Sequence, residues 1–125
     1  MTPDQTARSI VAGLQDAVDA HDPDAMAARF APGAVLVGSA GYSAGDSAVR
    51  RYLEGVATIG LLHWHLERYD VFLSTPDVLG FAAEGEIEWR DAEDASRDPF
   101  RLTIVAVPDG QDWRIQHFHG SMRSD

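Results

Sequence analysis

Between Val78 and Trp89 the chain alternates. Leu79, Phe81, Ala83, Gly85, Ile87 and Trp89 fall on one side of an extended backbone, and Glu84, Glu86, Glu88 and Arg90 fall on the other. Successive side chains of a strand point to opposite faces, so this segment is stable as a strand with one face in an apolar core and one in water. That pattern belongs to antiparallel sheets, because parallel sheets are covered on both faces. Three further β segments, His63 to Leu73, Pro99 to Val107 and Trp113 to Ser121, surround it. Thr75-Pro76-Asp77 and Pro108-Asp109-Gly110 supply the chemistry of tight connections. A sheet with one apolar face needs a second layer to cover it.

The first half of the chain offers that layer. From Thr2 to Ala20, Ile10, Val11, Leu14 and Val18 recur at helical spacing, and Thr2, Pro3 and Gln5 form a capping box with proline at the first helical position. Asp22-Pro23 starts a second, brief helix with Met26, Ala27 and Phe30 on its apolar side, and Pro32-Gly33 stops it. Ala34 to Gly38 reads as a short strand and the glycine-rich stretch to Gly45 as a loop. Asp46 then caps a third helix carrying Val49, Tyr52, Leu53 and Val56, with Arg50, Arg51 and Glu54 facing outward. Helices first and strands afterwards predict an α+β fold, three helices on one face of an antiparallel meander, with residues 1–125 as one domain.

Composition narrows the chemistry. The 125 residues are 45% hydrophobic, enough for one sizeable core, and contain no cysteine, which excludes disulfides, thiolate nucleophiles and cysteine-ligated zinc. All basic residues are arginine, so Schiff-base catalysis on a lysine is excluded. A formal net charge of -10 disfavours a nucleic-acid partner, whose binding depends on cationic side chains. No basic start precedes an apolar run, and no stretch of about eighteen apolar residues occurs, so neither export nor membrane spanning is expected. The expected location is the cytoplasm.

The closing segment Asp109-Gly110-Gln111-Asp112-Trp113-Arg114-Ile115-Gln116-His117-Phe118-His119-Gly120-Ser121 resembles the last strand of the SnoaL-like and calcium/calmodulin-dependent kinase II association-domain branch of the nuclear-transport-factor-2-like superfamily. The first helix, Met26 to Ala34, the glycine loop and Arg101-Leu102-Thr103 follow the same family order. The resemblance implies a cone-shaped domain with a pocket between helices and sheet, binding of a small hydrophobic molecule, and a homodimer through the sheet's outer surface. It implies no single reaction and no cofactor. Two positions depart from the pattern. Many relatives carry aspartate where Gly33 stands, and kinase association domains carry an arginine where Gly120 stands.

Histidine titrates near neutrality, so His117 or His119 with a carboxylate such as Glu67 are the candidate proton-transfer groups, in an isomerase- or cyclase-like role. Alternation groups His117 and His119 with Trp113 and Ile115, which makes theirs the more interior side of the strand, unless a bulge reverses the parity. The bland alternative is cross-sheet hydrogen bonding. Arg101 offers a guanidinium to a ligand oxygen, or else pairs with Glu84, Glu86 or Glu88. Tyr42 in the glycine loop, His63, His65, Trp89, Trp113 and Phe81 complete the expected ligand-binding set. The pairs His63/His65 and His117/His119 would make a metal site only if their strands were adjacent, and no metal is expected. Trp64, Leu66 and Phe72 share one side of their strand and suit a dimer interface. A non-catalytic oligomerisation or ligand-sensing domain is the alternative to an enzyme.

Overall fold

The reciprocal cap at the first helix forms as the residues dictate. The Thr2 hydroxyl accepts from the Gln5 N–H at 3.1 Å, and the Thr2 N–H donates to Gln5 Oε1 at 2.9 Å. In the computed structural model, which describes residues 1–39 and 41–122, helix α1 spans Pro3–Asp19 and α2 spans Pro23–Ala27. Asp22 Oδ1 accepts from the N–H groups of Asp24 and Ala25 to start the latter. Strand β1 runs Phe30–Gly38, so Phe30 belongs to the sheet and not to the second helix.

The glycine loop contains an edge strand, β2 (Gly41–Ala44), paired antiparallel with β1 through Val37↔Tyr42 and Leu36↔Ser43. Helix α3 (Asp46–Val56) begins after Gly45, whose φ of 89° only glycine adopts readily. Asp46 does not cap it. Its carboxylate instead accepts the Gly33 N–H at 2.8 Å, tying the start of α3 to the turn within β1.

The strands β3 (Leu61–Thr75), β4 (Val78–Arg90), β5 (Ala95–Asp109) and β6 (Asp112–Met122) form the expected meander. Among the described residues the six-stranded sheet is curved and unclosed, in the order β2-β1-β6-β5-β4-β3, with β1 and β6 the one parallel pair. Helices cover its inner face. Leu79, Phe81, Ala83 and Ile87 of β4 are buried there, as their alternation requires, with Leu14 and Val18 of α1, Met26 of α2, Leu53 of α3 and Ile104 of β5.

Three bulges set which side chains face that core. The register passes from Ala106↔Ile115 to Val105↔His117, which leaves Gln116 as an extra residue. Ile115 and Phe118 are therefore both buried, although strict alternation would separate them. In β3 the steps from Leu66 to Arg68 and from Val71 to Leu73 leave Glu67 and Phe72 unpaired in the same way.

Strand β3 is a sheet edge, and α1 closes it at one point. Gln15, 8% exposed, donates from Nε2 to the Leu62 carbonyl at 2.8 Å and accepts the Trp64 N–H at Oε1 at 2.9 Å. The side-chain amide thus stands where a neighbouring strand would. No helix among the described residues is long and apolar enough to cross a membrane.

Candidate ligand-binding site

At one end of the sheet the helices do not fill the space they enclose. A cavity of about 540 Å³ lies between the inner face and the C-terminal half of α3. Leu62 and Trp64 of β3, Ile87 and Trp89 of β4, Phe100 of β5 and Phe118 of β6 form its sheet wall. Leu14 and Val18 of α1, Leu53 and Val56 of α3, and Ile59 after it form the helical wall. A volume of this size accommodates a small organic molecule, and the aromatic lining suits an apolar body.

Two glycines let aromatic rings of the site pack directly against the sheet backbone. A Cβ on Gly120 would lie 2.6 Å from Phe100 Cζ and 2.9 Å from Phe118 Cε1, so the two rings occupy the room that a larger residue at Gly120 would need. At Gly38 the ring of Tyr52 fills the corresponding position. Polar groups are few. Ser39, Arg51 and Tyr52 are the polar side chains among the described lining residues, and neither histidine nor carboxylate is among these. The Trp64 indole Nε1 is buried without an acceptor among the described residues. An indole N–H can only donate, so this group is left for an incoming oxygen or remains unpaired.

A family model described as the SnoaL-like domain matches residues 7–124. The chain belongs to the SnoaL-like domain family. Solved structures agree on the fold. A candidate calcium/calmodulin-dependent protein kinase II association domain from Xanthomonas campestris is similar at 20% identity and TM-score 0.85, over 95% of this chain and 86% of the other. A candidate dehydratase of the nuclear-transport-factor-2-like family from Streptomyces avermitilis gives 14% identity and TM-score 0.85, over 99% and 100%. A protein with a cystatin-like fold from Caulobacter vibrioides gives 17% and 0.78, over 99% and 92%. A comparison with curated proteins returned no match.

Within this SnoaL-like domain the sequence-derived candidates separate. Trp89 lines the cavity. Phe81 is fully buried in the core, its ring 6.1 Å from that of Tyr69, and Trp113 is half-buried against the same core. Neither lines the cavity. His117 and His119 lie on the outer face, alternating with Phe118 and Gly120, and their rings meet edge to face at 6.5 Å. The expectation that they occupy the inner side is corrected by the bulge at Gln116, which resets the parity after Ile115.

His63 and His65 also point outward, between the inward Leu62, Trp64 and Leu66, with ring centroids 4.5 Å apart. His65 Nε2 lies 2.9 Å from Glu88 Oε1. This hydrogen bond, with help from Arg90, holds the Glu88 carboxyl below its ordinary value of 4.5. The two histidine pairs cannot converge on one ion, since β4 and β5 stand between β3 and β6 and strands are spaced about 4.8 Å apart. Trp64 and Leu66 face the core, so they leave the expected outer apolar set, whereas Phe72, at its bulge, packs over Gly80 on the outside.

Glu67 and Arg101 come together, but outside. Both line a shallow outer groove of about 240 Å³, where Arg101 Nε lies 3.7 Å from Glu84 Oε2, the pairing that the acidic strand favours. Tyr42 is 72% exposed at the β2 edge and does not line the cavity. Sequence reasoning missed Ser39 and the position of Arg51, which was expected to face outward. Arg51 borders the Tyr52–Leu53–Val56 stripe of α3, and only the open end of the sheet beneath it turns a helix flank into a cavity mouth.

Proposed function

We propose that this SnoaL-like domain binds one small hydrophobic molecule in the inner cavity and holds it without acid/base turnover there. The observation that carries this is the wall itself, aromatic and aliphatic with neither histidine nor carboxylate among the described lining residues. Proton transfer most often uses a histidine or carboxylate within hydrogen-bond reach of the substrate, and the Tyr52 phenol is the one other such group among the described lining residues. Trp64 and Trp89 report on occupancy directly. Titration with naphthylethanol should change their fluorescence and raise the melting temperature, and Trp89→Ala should weaken binding about tenfold, the order expected for losing a large aromatic contact. Conversion of the bound molecule, followed by NMR, would defeat the non-catalytic part.

A second reading places chemistry on the outside. Glu67 and Arg101 share the outer groove, so an enzyme using them would take its substrate there. Loss of an activity in Glu67→Gln with cavity binding intact would favour it.

The outer face also fits a second copy of this chain. Val35, His117, Val105, Gly80 and Leu73 stand in register across five strands, with Phe72, 59% exposed, beside them. Such a row matches the moderately apolar character of dimer interfaces. Light scattering should give a dimer at micromolar concentration, converted to monomer by Phe72→Asp.

A further inference from the structure

We infer that the ligand is an amphipathic acid, with an apolar, ring-bearing body among Trp64, Trp89, Phe100 and Phe118 and a carboxylate that meets Arg51 at the mouth. This rests on the proposed binding function and adds the charge and class of the ligand.

Arg51 is the one charged side chain among the described residues that line the cavity. Its electrostatic situation is unusual for this chain. Seven of the nine described arginines (Arg8, Arg50, Arg68, Arg90, Arg97, Arg101 and Arg114) face a carboxylate. Of the other two, Arg29 has its guanidinium packed over Gly13. Arg51 has no ion-pair or hydrogen-bond partner among the described residues.

In a protein with 20 acidic and 10 basic residues, leaving an arginine unpaired is not a matter of supply. Glu54 stands three residues further along α3, a spacing at which side chains meet, yet the two are not paired. The neighbouring Arg50 does reach a carboxylate, Asp24, through the same kind of flexible stem. An arginine at a rim can simply be solvated. Here its place is specific, because among the described lining residues it is one of three polar side chains, with Ser39 and Tyr52, in a wall that is otherwise aromatic and aliphatic.

The chemistry of the head group follows. A guanidinium presents a planar fork of donors that matches a carboxylate, and it repels a cation. A cationic ligand would find no carboxylate in the described lining. The net charge of -10 opposes any anion at long range, but screening confines that repulsion to about 10 Å at moderate salt, so a local cation decides.

Three probes of matched body and different head test this: naphthylacetate, naphthylethanol and naphthylethylamine, titrated by tryptophan fluorescence at about 0.1 M salt. The acid should bind about tenfold more tightly than the alcohol, and the amine more weakly than either. Arg51→Gln should cut the acid's affinity about tenfold and the alcohol's far less, so that the two converge at an unchanged melting temperature. Added salt should narrow the preference of the unmodified chain. Equal binding of acid and alcohol, or an Arg51→Gln variant that weakens both alike, overturns the role of Arg51 and leaves the cavity standing. Failure of all three to bind overturns the cavity reading, and the acid with it.

Discussion

The Tyr52 ring, hydroxyl included, occupies the space that a side chain at Gly38 would need. Gly38 is at the end of β1 and Tyr52 is on α3, so one missing Cβ lets the helix lie close against the sheet at the cavity. Gly38→Ala should displace Tyr52 and destabilise the domain by about 1–3 kcal/mol, the usual cost of overpacking. Urea denaturation measures this. A parallel loss of naphthylethanol binding is expected, and an unchanged midpoint with full binding would show that the contact is slack.

Gln15 supplies two hydrogen bonds to the exposed edge of β3, at Leu62 and Trp64. Gln15→Ala removes both and leaves a carbonyl and an N–H poorly solvated under α1. The expected cost is about 1–3 kcal/mol. Amide exchange at Trp64 should accelerate beyond the global change in stability, because that proton loses its acceptor.

His117→Gln and His119→Gln separate the two faces of β6. Glutamine retains hydrogen bonding without titrating. Cavity binding should stay within about twofold of the original for both, since the side chains lie across the sheet from the ligand. A tenfold or greater loss in either variant, at unchanged stability, would place a histidine inside and refute the parity assigned here.

Acid titrates the His65–Glu88 contact. Because the Glu88 carboxyl sits below its ordinary value of 4.5 in the folded chain, the unfolded chain binds more protons in the interval between the two values. The stability contributed by Glu88 is therefore fully present above that range and is lost as pH falls through the lowered value. Melting temperatures recorded from about pH 6 down to about pH 3 should fall more steeply in the unmodified protein than in Glu88→Gln. Identical slopes would show that Glu88 is not coupled to folding.

What could be read from the residues was what local chemistry decides. The cap at Thr2 and Gln5 needs only neighbours in sequence, and the faces of β4 follow from an alternation that no bulge interrupts. Strand β2 was not legible. Gly41 to Ala44 carries no strand pattern and is extended only because Val37 and Leu36 are there to pair with it. On β6 the bulge at Gln116 reversed the expected faces, whereas on β3 an even split of apolar residues left the inner side open, and the extra residue at Glu67 then puts Tyr69 and Val71 on the same side as Trp64 and Leu66. Arg51 belongs to the same class, since its position at a cavity mouth depends on where the sheet ends beneath α3.

The placement of the histidines has a consequence for how such a domain can vary. Four of the five imidazoles, His63, His65, His117 and His119, lie on one side of a single layer of strands, and the apolar cavity lies on the other. The sheet is a partition between two chemistries, hydrogen-bonding imidazoles on one surface and an aromatic and aliphatic wall on the other. One strand thus carries both, and a substitution on either surface leaves the side chains of the other in place.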